Sequence, residues 1–184
     1  MDDRTRWNQR YEGFDAPLSP SDFVIDALPL LPTTGRALDV GGGAGANAVA
    51  LAEHGLDVTV VDVSDVGLGL AEELARARGI DITTVERDLR VEELPGADWD
   101  VLCCVNFLDQ SLFGSFASVM ADGGWLLASM ATVTNLERNE RPSRRFLLEP
   151  GELRRMAEQI GLEIVSYDEG WRDDRHSARL VARR

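Results

Sequence analysis

The residues best able to do chemistry lie in the stretch LDVGGGAGANAVALAEHG, residues 38–55. An acid and an apolar residue precede glycines at positions 41, 43 and 45, and a segment of helical composition follows. Glycine lets the backbone approach a ligand closely, and the first turn of a helix presents amide groups that have no partner inside the helix. The stretch therefore predicts a ligand-binding turn between a strand and a helix.

Two kinds of ligand fit this turn. Gly41, Gly43 and Ala46 satisfy the dinucleotide fingerprint G-x-G-x-x-G/A, and Asp62 follows at about the spacing of the acid that binds the ribose. A Walker-type phosphate loop is excluded because no Gly-Lys-Ser/Thr follows. Asp39 favours a cationic ligand instead, because a fixed negative charge two residues before Gly41 opposes a pyrophosphate.

Three acidic residues are expected to meet at one edge of a sheet. Asp39 lies in the first strand candidate, Asp62 near the end of the second and Asp88 at the end of the third. In open sheets of parallel strands, ligands bind beyond the carboxyl ends of the strands. Other interpretations stay open: Asp62 could cap the next helix, although Ser64 is better placed, and Asp88 could lie in a solvated charged loop.

Strand-like and helix-like segments alternate along the chain, and these elements must position the turn. The strand candidates are residues 36–40, 57–63, 81–88, 99–107, 125–131, 162–170 and 177–184. The helix candidates are residues 46–55, 64–78, 111–121 and 149–160. Residues 132–148 are expected to form a loop, and a charged loop is expected between the strands 162–170 and 177–184. The alternation predicts an α/β fold with a doubly wound, mostly parallel sheet.

Composition narrows the class of protein. With 184 residues, 44% of them hydrophobic, the chain fits a single domain over residues 1–184. A net charge of −13 without a basic run argues against a nucleic-acid partner. No apolar run has the length of a membrane span and no secretory signal is present, so we expect a cytoplasmic protein. The adjacent Cys103 and Cys104 and only two histidines argue against a disulfide framework or a metal site.

From about residue 36 to the C-terminus, the sequence resembles the class I S-adenosylmethionine-dependent methyltransferases. Their glycine motif is an acid, an apolar residue and G-x-G-x-G, which matches residues 39–45. The resemblance implies that Gly41, Gly43 and Gly45 lie against S-adenosylmethionine. It also implies a Rossmann-like seven-stranded sheet that ends in an antiparallel strand pair.

The same resemblance assigns roles to residues after the strands. It implies that Asp62 binds the ribose hydroxyls, with Val63 beside it, and that Asp88 and Leu89 lie by the adenine. Asn106, in the segment VNFLD, is expected to line the side of the methyl donor and the acceptor. Asn106 could instead satisfy its own turn, because asparagine commonly does so at strand ends.

The segment RWNQRY, residues 6–11, resembles the W-x-x-R-Y pattern of small-molecule methyltransferases, including the tellurite-resistance and thiopurine types. In those proteins an N-terminal segment closes over the cofactor. The resemblance implies that residues 1–34 form an extension whose first part, about residues 1–14, is a lid. Arg10 would then face the methionyl carboxylate, and Trp7 or Tyr11 would cover the cofactor. Trp7 could equally pack on the core.

The implied activity is methyl transfer from S-adenosylmethionine to a small-molecule acceptor by in-line displacement, with S-adenosylhomocysteine as the product. Because the leaving group departs neutral, positioning alone can supply much of the catalysis, and no catalytic triad is needed. For a hydroxyl acceptor, Asp109 and Tyr11 are the candidate bases. Two alternatives stay open: an NAD(P)-binding oxidoreductase, and a catalytically silent binding or interaction protein of the same fold. The oligomeric state stays open too.

Overall fold

The computed structural model describes residues 2–13 and 18–184. The strands are β1 Arg36–Val40, β2 Asp57–Asp62, β3 Thr83–Glu86, β4 Trp99–Val105, β5 Met120–Ala131, β6 Glu163–Arg172 and β7 Arg175–Arg183. The α-helices are α1 Asp3–Glu12, α2 Asp22–Ala27, α3 Ala46–Glu53, α4 Asp65–Arg78, α5 Gln110–Phe113, α6 Phe116–Val119 and α7 Glu152–Gln159. Short 3-10 turns cover Leu28–Leu30, Val133–Glu137 and Arg144–Phe146.

The strands form one sheet in the order β3-β2-β1-β4-β5-β7-β6. Strands β1 to β5 pair in parallel, and β7 is antiparallel to both β5 and β6. The predicted Rossmann-like, doubly wound sheet with a C-terminal antiparallel pair is confirmed. The chain winds outward from β1 to β3 and then in the opposite direction from β4. The strand order therefore reverses between β1 and β4, which is where such sheets bind ligands.

Apolar layers cover both faces of the sheet. One layer includes Val24 of α2 and Leu51 of α3. The other includes Phe113 of α5 and Leu153 of α7. Strand β4 is buried on both faces, as its continuous apolar run predicts. Within the described residues, no helix is long and apolar enough to span a bilayer.

The prediction of one continuous helix over residues 111–121 is wrong. Helices α5 and α6 are two short turns, and β5 already begins at Met120. The hydroxyls of Ser115 and Ser118 donate to the carbonyls of Leu112 and Ser115, at 2.7 and 2.6 Å. Such bonds compete with the backbone pattern of a continuous helix. The predicted helix over residues 64–78 is confirmed, with the Ser64 hydroxyl accepting from the Gly67 amide.

The C-terminal strands also differ from the prediction. The charged loop expected between them is replaced by a tight hairpin, in which Arg172 pairs with Arg175 and only two residues form the turn. Asp173 adopts the left-handed conformation that such turns require, with a φ of 53°. Because β6 ends later and β7 begins earlier than predicted, the hairpin brings charged side chains to the carboxyl edge of the sheet.

Candidate functional site

The glycine turn, residues 41–45, connects β1 to α3 at the strand-order reversal. Gly41, Gly43 and Gly45 have φ values of 64°, 52° and 75°, which side chains adopt only with strain. A Cβ at Gly45 would lie 2.4 Å from the Ala71 Cβ, and one at Gly41 would lie 2.6 Å from the Phe107 ring. The three glycines are therefore required both by the backbone and by close neighbours.

Asp62 holds the glycine turn against the end of β2. Its Oδ2 accepts a hydrogen bond from the Gly43 amide and its Oδ1 accepts one from the Ser64 amide, both at 2.9 Å. Burial raises the pKa of Asp62, and these hydrogen bonds oppose the rise. Each carboxylate oxygen has a second lone pair, so both can still accept from ligand hydroxyls. Val63 lies half-buried between Asp62 and Ser64.

Asp39 lies beneath the glycine turn. Its Oδ2 is 2.6 Å from the position of a Cβ on Gly42, and it lies near the Val60 side chain. No donor among the described residues reaches this buried oxygen. Burial raises the pKa of Asp39 to about 7, while hydrogen bonds from the Cys103 thiol and the Ala48 amide oppose the rise. Asp39 therefore supports the turn from the interior.

The residues after β3 form a compact turn of their own. The Asp88 carboxylate accepts from the Arg90 amide at 3.1 Å, and the Asp88 amide donates to Glu92 at 2.8 Å. Leu89 is buried in the core. The three acids thus lie at the carboxyl ends of the adjacent parallel strands β1, β2 and β3: Asp39 under the glycine turn, Asp62 at it and Asp88 in this loop.

Helix α1 packs over the glycine turn and the start of α4. The Tyr11 ring contacts Gly67, and its hydroxyl contacts Gly43. Burial raises the pKa of Tyr11 to about 12, and the nearby charge of Asp62 adds to the rise. The Asn8 side chain donates to Asp65 at 2.8 Å.

The other predicted residues of the N-terminal segment lie on the same helix. The Trp7 ring stacks on that of Tyr11 with centroids 6.1 Å apart, and the Arg10 guanidinium lies 5.5 Å from the Trp7 ring centroid. Trp7 is half-buried and α1 buries no residue completely, so Trp7 does not pack in the core. Met1 and Phe14, the ends of the expected lid, lie outside the described residues.

A cavity of about 220 Å³ opens at the carboxyl edge beside the glycine turn. It is bordered by the start of α2, the ends of β4 and β5, and the β6–β7 hairpin, and we call it the hairpin cavity. Asn106 lines it in a left-handed conformation with a φ of 64°. The next residue, Phe107, covers Gly41. The structure therefore places Asn106 on the cavity side, adjacent to the turn.

Sequence reasoning missed the polar side chains of the hairpin cavity. Ser129, Ser177 and Arg179 line it and are only 7%, 5% and 6% exposed. Arg179 pairs with Asp168 at 2.6 Å. One signal was available, because Arg175, Ser177 and Arg179 alternate along β7 and alternate residues of a strand share a face.

The two candidate bases, Asp109 and Tyr11, have different surroundings, and their catalytic role stays a prediction. Asp109 caps α5, accepting from the Leu112 amide at 3.0 Å and from the Ser111 hydroxyl at 2.6 Å. Although burial raises its pKa, these hydrogen bonds outweigh burial and hold the pKa of Asp109 below its usual value. With its pKa raised to about 12, Tyr11 stays protonated at neutral pH.

Comparison with known proteins identifies similar chains. Residues 37–124 match a family described as a methyltransferase domain. The ubiquinone biosynthesis O-methyltransferase of Bordetella avium is 28% identical over 153 residues, which are 70% of this chain and 62% of the relative. The chain thus spans 62% of the length of that relative.

Solved structures share the fold. TehB from Haemophilus influenzae superposes with a TM-score of 0.74 at 20% identity, covering 98% of this chain and 66% of TehB. Magnesium protoporphyrin IX methyltransferase from Synechocystis PCC 6803, solved with bound S-adenosylhomocysteine, gives a TM-score of 0.75 at 20% identity, covering 98% of this chain and 97% of that protein. These likenesses establish the common fold.

Proposed function

We propose that this chain, which belongs to the class I S-adenosylmethionine-dependent methyltransferases by its fold and its methyltransferase domain, transfers a methyl group from S-adenosylmethionine to a small-molecule acceptor. The observation that carries the proposal is the position of the glycine turn. It lies at the strand-order reversal, Asp62 holds it, and the hairpin cavity opens next to it. Donor and acceptor can therefore meet at one edge of the sheet.

The charges around the glycine turn fit this cofactor. Asp62 lies at the turn, and Asp39 lies beneath it with one buried oxygen that has no donor among the described residues. The negative charge of Asp62 attracts a sulfonium cation and opposes the pyrophosphate of a dinucleotide, whereas Asp39, with a pKa of about 7, is only partly ionised at neutral pH. This difference favours S-adenosylmethionine over NAD(P), the first alternative.

Individual residues take roles in the proposed complex. The turn at residues 41–45 lies against the cofactor, and Asp62 accepts hydrogen bonds from the ribose hydroxyls. Asp88 and Leu89 border the adenine, and Arg10 faces the methionyl carboxylate. The family resemblance supports these roles, and the positions of the glycine turn, Asp62 and α1 agree with them.

When bound, S-adenosylmethionine supplies an electrophilic methyl group on a sulfonium whose departure leaves a neutral thioether. This chain therefore needs to orient the reactants and exclude water, with the reacting atoms held about 3–3.5 Å apart. Phe107, which covers Gly41 beside the hairpin cavity, shields the turn on that side. Since the pKa of Asp109 is held below its usual value and that of Tyr11 is raised to about 12, an acceptor atom that is nucleophilic without deprotonation by the protein suits this site.

We further propose that residues 1–34 form an extension of a single domain and that α1 acts as a lid. Its Tyr11 contacts the glycine turn, and its Asn8 contacts the start of α4. A lid in this position would keep water from the reacting methyl group. Because Tyr11 contacts Gly43, a ligand that takes this position against the turn must displace Tyr11.

Titration calorimetry tests the proposed function. We expect S-adenosylmethionine and S-adenosylhomocysteine each to saturate a single site, and NADH to give no heat. Heat from NADH alone would contradict the proposal and support an oxidoreductase. Incubation with methyl-labelled S-adenosylmethionine and a small-molecule extract then separates an enzyme from a silent binding protein, because only an enzyme transfers the label.

A further inference from the structure

The hairpin cavity has a floor of buried polar side chains. Ser129 comes from β5, and Ser177 and Arg179 come from β7; all three are less than a tenth exposed. Burying such groups costs free energy unless they form hydrogen bonds. A floor of this kind is suited to a polar ligand rather than to an apolar one.

Most hydrogen-bond donors of Arg179 are not used by the protein. A guanidinium has five N–H donors, and within residues 2–13 and 18–184 the Arg179 side chain makes one hydrogen bond, from Nη1 to Asp168 at 2.6 Å. The serine hydroxyls beside it can also donate. The floor therefore presents donors and one buried positive charge, which together complement an oxyanion.

Arg175 adds a second guanidinium at the mouth of the cavity. In the described part of the chain it has no carboxylate within ion-pair distance, whereas the neighbouring Arg172 pairs with Asp26 and Asp168. Its place on the strand, four residues before Arg179, puts both side chains on one face of β7. Two guanidinium groups thus approach the cavity from the same side.

Acidic residues also border the cavity, but at its rim. Asp22, Asp173 and Asp174 are exposed to solvent, so water and salt weaken their fields. The charge of Arg179 acts at the buried floor, where the lower dielectric strengthens its interactions. Asp168, which pairs with Arg179 at 2.6 Å, already offsets part of this charge, so an anionic group at the floor is held by the unused N–H donors of Arg179 together with Arg175.

We propose that the hairpin cavity binds a carboxylate group of the methyl acceptor, held by Arg175 and Arg179 with the hydroxyls of Ser129 and Ser177. This inference rests on the proposed function and names the class of its acceptor: a small carboxylic acid. Guanidinium groups match the planar, two-oxygen geometry of a carboxylate. The cavity of about 220 Å³ is also smaller than drug-sized sites, which occupy about 300–1,000 Å³.

Two probes of equal shape and different charge test the inference. The full chain, labelled with nitrogen-15, is titrated with benzoate and with benzamide. We expect benzoate to shift the amide resonances of Ser177 and Arg179 saturably, and benzamide to bind more than tenfold more weakly. In Arg175→Gln, benzoate affinity should fall roughly tenfold to hundredfold, because a charge-assisted hydrogen bond is lost. Arg76→Gln, which removes the same charge from an exposed position on α4, should leave benzoate affinity unchanged.

Equal binding of the two probes, or unchanged benzoate affinity in Arg175→Gln, would overturn the inference. Displacement of benzoate by S-adenosylhomocysteine would overturn it as well, because the cavity would then hold the amino-acid end of the cofactor. S-adenosylhomocysteine is titrated separately on the same samples. Its failure to bind counts against the proposed function, whereas loss of probe discrimination with intact S-adenosylhomocysteine binding counts against this inference alone.

Discussion

The two sides of the strand-order reversal are built by different means. On the β1–β2 side, the glycine turn is a backbone structure packed between α1, α4 and Asp62. On the β4–β5–β7 side, the hairpin cavity is an open space lined by side chains from separate strands. Recognition through the backbone suits a ligand that stays the same across a family, whereas recognition through side chains can change with the acceptor.

The two sides also differ in the sign of their buried charge. Asp39 and Asp62 are buried at the glycine turn, and Arg179 is buried at the hairpin cavity. Because Asp39 is largely protonated below pH 7, the negative charge on the turn side is that of Asp62, and the edge is polarised between Asp62 and Arg179. In the proposed complex, this polarity directs a sulfonium to one side and an acidic acceptor to the other.

The largest expected effect breaks the packing of the glycine turn. In Gly45→Val, the new Cβ would lie 2.4 Å from the Ala71 Cβ and 3.0 Å from the Ala71 Cα, at a φ of 75°. We expect the free energy of unfolding, measured in urea, to fall by about 3 kcal/mol or more. Gly69→Ala is the control, because its Cβ meets nothing within 4 Å and alanine favours the helix by about 1 kcal/mol. A free energy of unfolding close to that of the wild type in Gly45→Val would show that the turn is not tightly packed.

The next effect concerns the buried acid beneath the turn. In the folded state the pKa of Asp39 is about 7, whereas the ordinary pKa of an aspartate is 3.8. Since the folded state binds this proton more tightly, stability due to Asp39 is present below about pH 4 and is lost as the pH rises towards 7. Above pH 7, the free energy of unfolding of Asp39→Asn in urea should therefore exceed that of the wild type by a few kcal/mol. Near pH 4, the two proteins should have similar free energies of unfolding.

Exposed Asp57 provides the control for this pH dependence. Asp57→Asn removes the same charge from the opposite end of β2 and should leave the pH profile of the wild type intact. If Asp39→Asn kept the wild-type profile, Asp39 would not be the group that titrates.

A smaller effect is expected at Asp62, which holds the glycine turn and is the proposed partner of the ribose. Asp62→Ala should weaken S-adenosylhomocysteine binding roughly tenfold to hundredfold in calorimetry, because charge-assisted hydrogen bonds to the ribose are lost. The Gly43 and Ser64 amides also lose their acceptor. Asp57→Ala should bind normally. Unchanged affinity in a folded Asp62→Ala variant would reduce Asp62 to a structural cap.

The glycine-turn side was predictable because its signals are contiguous in the sequence. Residues 39–45 specify the turn, and the strand and helix around them follow from local patterns. The seven-stranded sheet was also predicted, since alternating elements and a final strand pair leave few topologies. The methyltransferase resemblance is confirmed by the match over residues 37–124.

The hairpin cavity was not predictable in the same way. Ser129 and Arg179 are 50 positions apart in the sequence and become neighbours only through the pairing of β5 with β7. Arg179 also carries no local sign of burial, because an arginine near a C-terminus is ordinarily a surface residue. Asn106, expected on the side of the methyl donor and the acceptor, lines the hairpin cavity, and its contact with the cofactor stays a prediction.

The smallest expected effect concerns α1, which packs on the glycine turn and extends the comparison to motion. Asn8 joins α1 to α4 through a hydrogen bond of 2.6 Å from the Ser64 hydroxyl and one of 2.8 Å to Asp65. Asn8→Ala should loosen α1 by about 1 kcal/mol, so trypsin should cleave after Arg6 or Arg10 several-fold faster, with global stability nearly unchanged. Glu12→Ala, on the exposed end of the same helix, should be cleaved at the wild-type rate.

If α1 is a lid, S-adenosylhomocysteine should slow cleavage of the wild type and slow it less in Asn8→Ala, because the weakened helix closes less completely over the ligand. Equal rates with and without the ligand would mean that α1 is a fixed part of the domain and not a lid.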